Sequence, residues 1–205
     1  MKIKTLLLGN MQTNGYVVSD ENHHCLIIDP GANGKKAVHY LTENELVPEA
    51  VLLTHGHFDH IGAVDYLYEH YHCPIYLHQD DLEMLDNPQL NLSVYENPFT
   101  VKAPVQSSHE EMKFGDFDVQ WLHLPGHCPG SSMIYLKDEN IIFSGDVLFK
   151  GSIGRFDFPN SSKYETIESI NKIKEYDFDA VIYPGHGPNS TLSEERLNNP
   201  YLKKS

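Results

Sequence analysis

The alternation of apolar and polar positions divides the first half of the chain into short strand-like runs and two helical patterns. KIKTLLL, GYVVSD, CLIIDPG and EAVLLT read as strands, and GKKAVHYLTENEL has helical spacing before the last of them. A second helical pattern, IGAVDYLYEHY, places Ile61, Val64, Leu67 and Tyr68 on one face and leads into the strand-like PIYLH. This alternation predicts an α/β fold.

The second half of the chain begins with a segment that has no clear period. Residues 86–112 contain three prolines, and a loop of this length in a compact domain either covers a binding site or is flexible filler. Strands are then predicted for DVQWLHL, SSMIYL, NIIFSGD and DAVIYPG. A helix is predicted from about Ser162, since Ser162 and Glu165 have the spacing of a capping box. We interpret residues 1–205 as a single domain.

Composition and charge narrow the set of partners. Fifteen Lys and Arg against 29 Asp and Glu give a formal net charge of −14, which disfavours nucleic acid and anionic membranes as partners. No apolar run approaches the roughly 20 residues that cross a membrane, and the N-terminal TLLL run is too short for a secretory signal. Cys25, Cys73 and Cys128 are an odd set without paired spacing. These features favour a cytoplasmic protein, with a mature chain whose signal has been removed as the alternative.

The run VLLTHGHFDHIG concentrates four potential metal ligands in six positions. Side chains two apart on a strand point the same way, so His55 and His57, at the strand's exit, can reach one cation. Asp59 and His60 fall at the turn into the next helix and can point to a neighbouring position. Taken alone, Asp59 fits a helix N-cap equally well. Three clustered histidines are harder to explain by packing, because burying them without partners is costly.

Three further candidates follow other predicted strands. His127 lies in HLPGHCPGS, Asp146 in IIFSGDVLF and His186 in VIYPGHGP, each in a turn marked by Gly or Pro. Together with the histidine cluster they give five histidines and two aspartates at strand ends. Imidazole and carboxylate ligands suit zinc and also accept iron or manganese. The sequence therefore predicts a metal site.

The ordered set HGHFDH, PGHCPGS, SGDVLF and PGHG resembles the metallo-β-lactamase-fold hydrolases over nearly the whole chain. The resemblance implies a four-layer αββα sandwich with two divalent metal ions at one edge. It implies that His55, His57 and His127 bind the first ion, that Asp59, His60 and His186 bind the second, and that Asp146 bridges them. It also implies that Asp59 is the catalytic proton acceptor. With these seven positions filled, Cys128 is not expected to be a ligand.

The segment GDVLFKGSIGRFDFPNSS is similar to the glyoxalase II branch and its short bacterial relatives. That similarity implies hydrolysis of a thioester such as S-lactoylglutathione by a hydroxide held between two ions, with zinc as the expected metal. Long glyoxalase II chains carry a C-terminal helical domain that binds glutathione, and the present sequence is expected to lack it. Arg155 fits either a contact to a substrate carboxylate or a structural ion pair with Asp157.

Several alternatives remain open at this point. A persulfide dioxygenase holding a single iron through His55, His127 and Asp146 is the main rival, because that branch resembles the sequence in HxHxDH and in GR-x-D. A lactonase or a β-lactamase is less favoured. A non-catalytic binding scaffold would be expected to have lost ligands, and a nuclease is disfavoured by the negative charge. The oligomeric state is left undetermined.

Overall fold

The computed structural model describes residues 1–203 and, within them, contains fourteen strands and six helices. The strands are β1 Lys2–Leu8, β2 Thr13–Ser19, β3 His24–Ile28, β4 Val47–Leu52, β5 Ile75–Leu77, β6 Val105–Ser107, β7 Glu111–Phe114, β8 Phe117–His123, β9 Ser132–Leu136, β10 Ile141–Gly145, β11 Leu148–Phe149, β12 Ser152–Ile153, β13 Val181–Pro184 and β14 Ser190–Thr191. The helices are α1 Gly34–Glu43, α2 Phe58–Ile61, α3 Val64–Tyr71, α4 Leu82–Leu85, α5 Lys163–Glu175 and α6 Leu192–Asn198.

Two six-stranded sheets form the centre of the molecule. Their orders are β1-β2-β3-β4-β5-β6 and β14-β13-β10-β9-β8-β7, and β11 and β12 form a separate hairpin. The space between the sheets is filled by inward-facing apolar residues, among them Val18 and Leu52 from the first sheet and Trp121 and Phe143 from the second. Burial of this kind is the main favourable term in folding.

Helices cover the outer face of each sheet. Leu41 of α1 and Leu67 of α3 pack against Val51 on the first sheet. On the second sheet, Ile142 packs with Ile173 of α5. The layers therefore run helix, sheet, sheet, helix, and the predicted four-layer αββα sandwich is confirmed.

Parallel strand pairs explain why the predicted ligands can meet. β3 and β4 are parallel in the first sheet, and β10 and β13 are parallel in the second, so each pair delivers its carboxyl ends to one edge. The backbone N–H of Asn14 donates to the carbonyl of Gly185 at 2.7 Å and joins the two sheets at that edge. The loops carrying the candidate ligands leave from this edge.

The structure confirms the predicted strands and helices with two corrections. The expected helix over 61–71 is broken between α2 and α3, because the N–H of Ala63 donates to the carbonyl of Pro30 instead of continuing the helix. Residues 86–112 are not one loop, since β6 and the start of β7 lie within them. The capping interaction at α5 is confirmed: the Ser162 hydroxyl accepts a hydrogen bond from the N–H of Glu165 at 3.2 Å.

Among the helices of residues 1–203, none combines the length and the apolar character needed to cross a membrane. The three cysteines all lie within this range, and each carries a free, buried thiol. The thiols agree with the expectation that the chain has no disulfide framework.

Candidate metal centre

The structure brings all seven predicted ligand residues to one edge of the sandwich, where they form overlapping groups. Ligand atoms lie within 4.8 Å of one another in each of three sets, which are His55 with His57, His127 and Cys128, then His55 with His60 and Asp146, and then Asp59 with His60 and His186. The rings of His55, His57 and His127 lie 78–87° from one another in the pairs they form. Rings that approach at such angles can direct their nitrogens toward a common point.

Asp146 lies between two groups of candidate ligands. The first group is His55, His57 and His127, and the second group is Asp59, His60 and His186. Its Oδ2 atom is 3.6 Å from Nε2 of His127 and 3.7 Å from Nε2 of His186, while its Oδ1 atom is 3.4 Å from Nε2 of His60. One carboxylate therefore faces histidines from both groups at once. This is the geometry that a bridging ligand requires.

Several atoms in this cluster have no hydrogen-bond partner among the described residues although they are buried. They include Nε2 of His55, Nε2 of His60 and Oδ1 of Asp146. Leaving a buried polar atom unpaired typically costs about 1–3 kcal/mol, so a cluster of three at one point requires an explanation. A cation coordinated by these atoms would satisfy all three, and the donor set of imidazoles and carboxylates is suited to zinc, iron or manganese.

The opposite nitrogens of the histidines are held by the protein. Nδ1 of His60 donates to Asp29 Oδ2 at 2.9 Å, and Nδ1 of His127 donates to the carbonyl of Arg155 at 2.8 Å. Nδ1 of His55 lies 3.1 Å from Oγ1 of Thr54, whose hydroxyl donates to the same Asp29 carboxylate at 2.7 Å. These contacts select the tautomer that leaves Nε2 facing the centre, as in well-ordered metal sites.

Asp59 is held as a ligand would be and not as a helix cap. Its Oδ2 atom accepts a hydrogen bond from the Thr13 hydroxyl at 2.8 Å and lies 3.2 Å from Nε2 of His186. The N-cap residue of α2 is His57, and no side chain caps that helix. The alternative interpretation of Asp59 as an N-cap is therefore wrong.

Charge in the apo centre is divided between the two groups. Burial, followed by neighbouring histidines, holds the pKa of His55 well below its usual range, and burial together with His127 lowers the pKa of His57 to about 3. Burial would also lower the pKa of His60, but the carboxylates of Asp59, Asp29 and Asp146 outweigh it and raise that pKa well above its usual range. The first group thus presents neutral imidazoles, the form that binds metal.

Cys128 lies beside the first group, with its Sγ atom within 4.8 Å of the ligand atoms of His55, His57 and His127. Its Sγ atom is 3.3 Å from Nε2 of His57, while Nδ1 of His57 faces Nε2 of His127 at 3.0 Å. Burial raises the pKa of the Cys128 thiol well above its usual range, so the group is a neutral thiol in the apo protein. The thiol can accept a hydrogen bond from His57 while Nδ1 faces the centre.

Arg155 forms the ion pair that the sequence offered as one of its two interpretations. Its guanidinium binds Asp157 through two contacts, Nε to Oδ1 at 2.9 Å and a second nitrogen to Oδ2 at 3.0 Å. The guanidinium carbon also lies 4.6 Å from the ring centre of Phe158, which packs against His57. The side chain is 67% exposed, so it remains accessible at the rim of the centre.

A cavity of about 250 Å³ opens beside Asp59. Its walls come from the β1–β2 turn, the start of α2 and the loop before β6, with Met11, Phe58, Asp59, Glu96, Asn97 and Phe99 among the lining residues. The loop is attached to the centre because the carbonyl of Asn91 accepts a hydrogen bond from the N–H of Phe58 at 2.8 Å. Among the lining residues described for the cavity, none is lysine or arginine.

Sequence reasoning missed three residues that hold the ligands. Asp29 follows a buried strand in CLIIDPG and so carried the same strand-end signal as the recognised ligands. Thr13 and Asn14 had no such signal. The side-chain amide of Asn14 donates to the carbonyls of Pro184 and Gly187, on either side of His186, at 3.0 and 2.9 Å.

Another histidine pair lies outside this centre. His78 and His123 stack with ring centres 3.8 Å apart and planes 14° apart, with Asp80 nearby. Nε2 of His123 donates to the carbonyl of Pro129 at 2.8 Å. Parallel rings do not direct their nitrogens at one ion, so this group differs from the seven-residue centre.

Comparison with known proteins identifies the family. Residues 8–186 match the metallo-beta-lactamase superfamily. The chain is 39% identical to a probable metallo-hydrolase, YqgX, from Bacillus subtilis, and 32% identical to the hydroxyacylglutathione hydrolase GloC from Haemophilus influenzae; each alignment covers 98% of both chains.

Solved structures agree with this assignment. The BLEG-1 B3 metallo-beta-lactamase superposes with a TM-score of 0.93 at 37% identity, over 99% of this chain and 100% of that one. TTHA1623 in a di-iron-bound form gives 0.87 at 37% identity, over 97% and 100%. ETHE1 from Myxococcus xanthus gives 0.80 at 26% identity, over 100% and 86%. With its fold, its His/Asp cluster and these relatives, the chain belongs to the metallo-beta-lactamase superfamily of metallo-hydrolases.

Proposed function

We propose that this chain is a dinuclear metal-dependent hydrolase that cleaves a thioester such as S-lactoylglutathione or a related acyl thiol. The observation that carries the proposal is the position of Asp146 between two converging groups of ligand atoms. In this proposal His55, His57 and His127 hold one divalent ion and Asp59, His60 and His186 hold the other. Zinc is the proposed metal, and the di-iron form of a similar structure keeps iron as an option.

Two divalent cations in such a site lower the pKa of a shared water molecule and polarise a carbonyl oxygen, which is the chemistry that acyl hydrolysis needs. The protein supplies the geometry. Neutral His55 and His57 are ready to bind, and Thr13 and Asp29 keep Asp59 and His60 in place. The centre therefore needs little rearrangement when it is loaded.

Asp59 is the proposed proton acceptor. Its side chain is 13% exposed and borders the cavity, so a water molecule at the opening can donate to it. In the reaction, one water molecule is added across the C–S bond, giving a carboxylic acid and a thiol. Asp59 would take the proton of the attacking water and return it to the departing sulfur.

In this proposal the thiol side of the substrate occupies the cavity beside Asp59. Its lining combines the apolar Met11 and Phe99 with the acidic Glu96, so it offers no cationic partner for the carboxylates of glutathione. Binding would then rest on the acyl end and on Arg155 at the rim. We therefore expect a high KM for S-lactoylglutathione, because the glutathione part of the substrate would contribute little binding energy. For the same reason we expect the enzyme to accept other thiol carriers.

The test is an assay of thiol release from S-lactoylglutathione and from an acyl thiol of different carrier, with protein loaded with zinc, iron(II) or manganese. His55→Ala should abolish turnover. His39→Ala is the matched control, because His39 is a 70% exposed histidine on α1 outside the centre, and it should retain full activity. Thiol release at the background rate with all three metals would overturn the proposed thioesterase activity.

A second candidate is the persulfide dioxygenase, in which His55, His127 and Asp146 would hold one iron. The structural similarity to ETHE1 supports this second candidate. The same protein preparations should be assayed for oxygen uptake with glutathione persulfide. Oxygen uptake together with absent thiol release would replace the first candidate by the second.

A further inference from the structure

Asp81 is a buried carboxylate that belongs to none of the seven proposed ligands. It lies at the end of a 3-10 turn, Gln79–Asp81, and its side chain is fully enclosed. Oδ2 accepts a hydrogen bond from the N–H of Gly56 at 3.0 Å, and Oδ1 accepts one from the N–H of Gly130 at 2.5 Å. Each oxygen therefore binds a different loop.

These two loops carry the three ligands of the proposed first ion. Gly56 stands between His55 and His57 after β4 of the first sheet, and Gly130 follows His127 in the loop after β8 of the second sheet. Asp81 thus connects ligand loops that come from different sheets. Metal affinity depends on how accurately the ligand atoms are placed relative to one another, so this connection bears directly on the site.

The contact between Asp81 and Gly130 requires a glycine at position 130. A Cβ atom at position 130 would lie 2.7 Å from Cγ of Asp81, which real structures do not tolerate. The same segment contacts the His127 loop a second time, through the His78–His123 stack and the hydrogen bond from His123 to Pro129.

Burying the Asp81 carboxylate is electrostatically unfavourable, which indicates that its two hydrogen bonds have a specific role. Burial raises the pKa of Asp81 to about 6, and the two backbone N–H groups only partly oppose that effect. An apolar residue would avoid the burial of a carboxylate, but it would leave two backbone donors unpaired in the interior.

We propose that Asp81 is a positioning residue that sets the separation between the His55–His57 loop and the His127 loop, and so determines the affinity of the first metal ion. The inference rests on the metal centre of the proposed function and is independent of the substrate. Asp59, His60 and His186 are anchored separately through Thr13, Asp29 and Asn14, so the second ion should depend much less on Asp81.

The test is titration of the apo protein with Co²⁺ or Zn²⁺ in competition with a chromophoric chelator. Asp81→Asn keeps the volume but cannot accept both N–H groups, so the affinity for one ion should fall by about 10–100-fold, as for other residues that support metal ligands. The affinity for the other ion should change by less than about threefold. Asp65→Asn is the matched control, since Asp65 also accepts two backbone N–H groups, from Lys102 and Ala103, and should leave both affinities unchanged.

Two readouts separate positioning from a general structural role. A merely structural Asp81 would lower the melting temperature of the apo protein while leaving both metal affinities intact, and that result would overturn the proposal. In the wild-type apo protein, the amides of Gly56 and Gly130 should be protected from hydrogen exchange, and rapid exchange at both would also overturn it. A wild-type chain that binds no metal would instead overturn the proposed function and this inference together.

Discussion

Oδ1 of Asp146 lies 3.4 Å from Nε2 of His60, and among the described residues neither atom forms a hydrogen bond. Two buried polar atoms that face each other without a partner are unfavourable in a site built for packing alone. In the proposed metal centre both atoms would be satisfied by one cation. This relationship motivates the first prediction.

We expect two metal ions per chain and a marked loss of stability when they are removed. A ligand that binds only the folded state stabilises it by about 3–4 kcal/mol at 100–1,000 times its Kd, so chelation should lower the melting temperature and added zinc should restore it. Metal analysis and thermal denaturation provide the measurement. A fully active protein that contains one ion would contradict the bridging role of Asp146.

Replacing Asp59 with Asn should lower turnover strongly while retaining the fold. The amide keeps the shape but removes the charge at the second ion and the proton acceptor, so kcat should fall by about 10²–10⁴. Metal content should be measured on the same sample. Near-normal turnover with both ions present would remove Asp59 from the catalytic role.

Gly185→Ala should disrupt the metal centre. A Cβ atom there would lie 2.3 Å from Oδ1 of Asp146 and 2.7 Å from Cε1 of His60, so both side chains or the backbone at position 185 must move. We expect the metal content and the activity to fall together. Gly187→Asn is the control in the same turn, because no atom lies within 4 Å of a Cβ there and Asn tolerates its positive φ better than other residues. Equal metal content in both variants would contradict the expected clash at position 185.

Arg155→Ala distinguishes a substrate contact from a structural pair. If the exposed guanidinium binds a carboxylate of the substrate, KM should rise several-fold with kcat unchanged, because ground-state and transition-state binding are lost equally. Asp157→Ala frees the guanidinium and serves as the comparison. Unchanged kinetics with a lower melting temperature for both variants would make Arg155 a structural residue.

The stability of the apo protein should vary with pH through Asp81. Because the pKa of this carboxyl is raised from 3.8 to about 6 on folding, the folded state binds the extra proton between those values. Its contribution is therefore present in full below about pH 4 and is lost as the pH rises through about 6, a change of about 3 kcal/mol at most. Denaturant unfolding of apo wild type and Asp81→Asn between pH 4 and 7 should show this slope in the difference between the two stability curves, because the other titrating groups contribute equally to both. Parallel curves would contradict it.

The seven candidate ligand residues could be picked out from the sequence because they lie in segments that follow buried strands. His127, Asp146 and His186 come after apolar runs, and the parallel pairing of β10 with β13 brings the last two together. The alternation of strands and helices predicted only an α/β fold, and the four-layer sandwich was implied by the resemblance to the metallo-β-lactamase-fold hydrolases. A local pattern was sufficient for the candidate residues that sit at the end of a regular element.

Contacts between distant segments could not be predicted in this way. Thr13 reaches Asp59 across 46 positions and Asp81 reaches Gly130 across 49, and neither Thr13 nor Asp81 stands out in its own segment. The break between α2 and α3 is of the same kind, since the N–H of Ala63 is taken by Pro30 on another loop. These features depend on tertiary hydrogen bonds, which cannot be predicted from the pattern of apolar and polar residues.

The loop before β6 is fastened at both of its ends. Near its start the carbonyl of Asn91 accepts from Phe58, and near its end Asp65 accepts from Lys102 and Ala103, while Tyr95 between them is 76% exposed. Glu96, Asn97 and Phe99 lie between these attachments and line the cavity beside Asp59. Because the loop is held at both ends, substitutions at these three positions should change the shape and charge of the cavity while Phe58 and Asp65 keep their contacts.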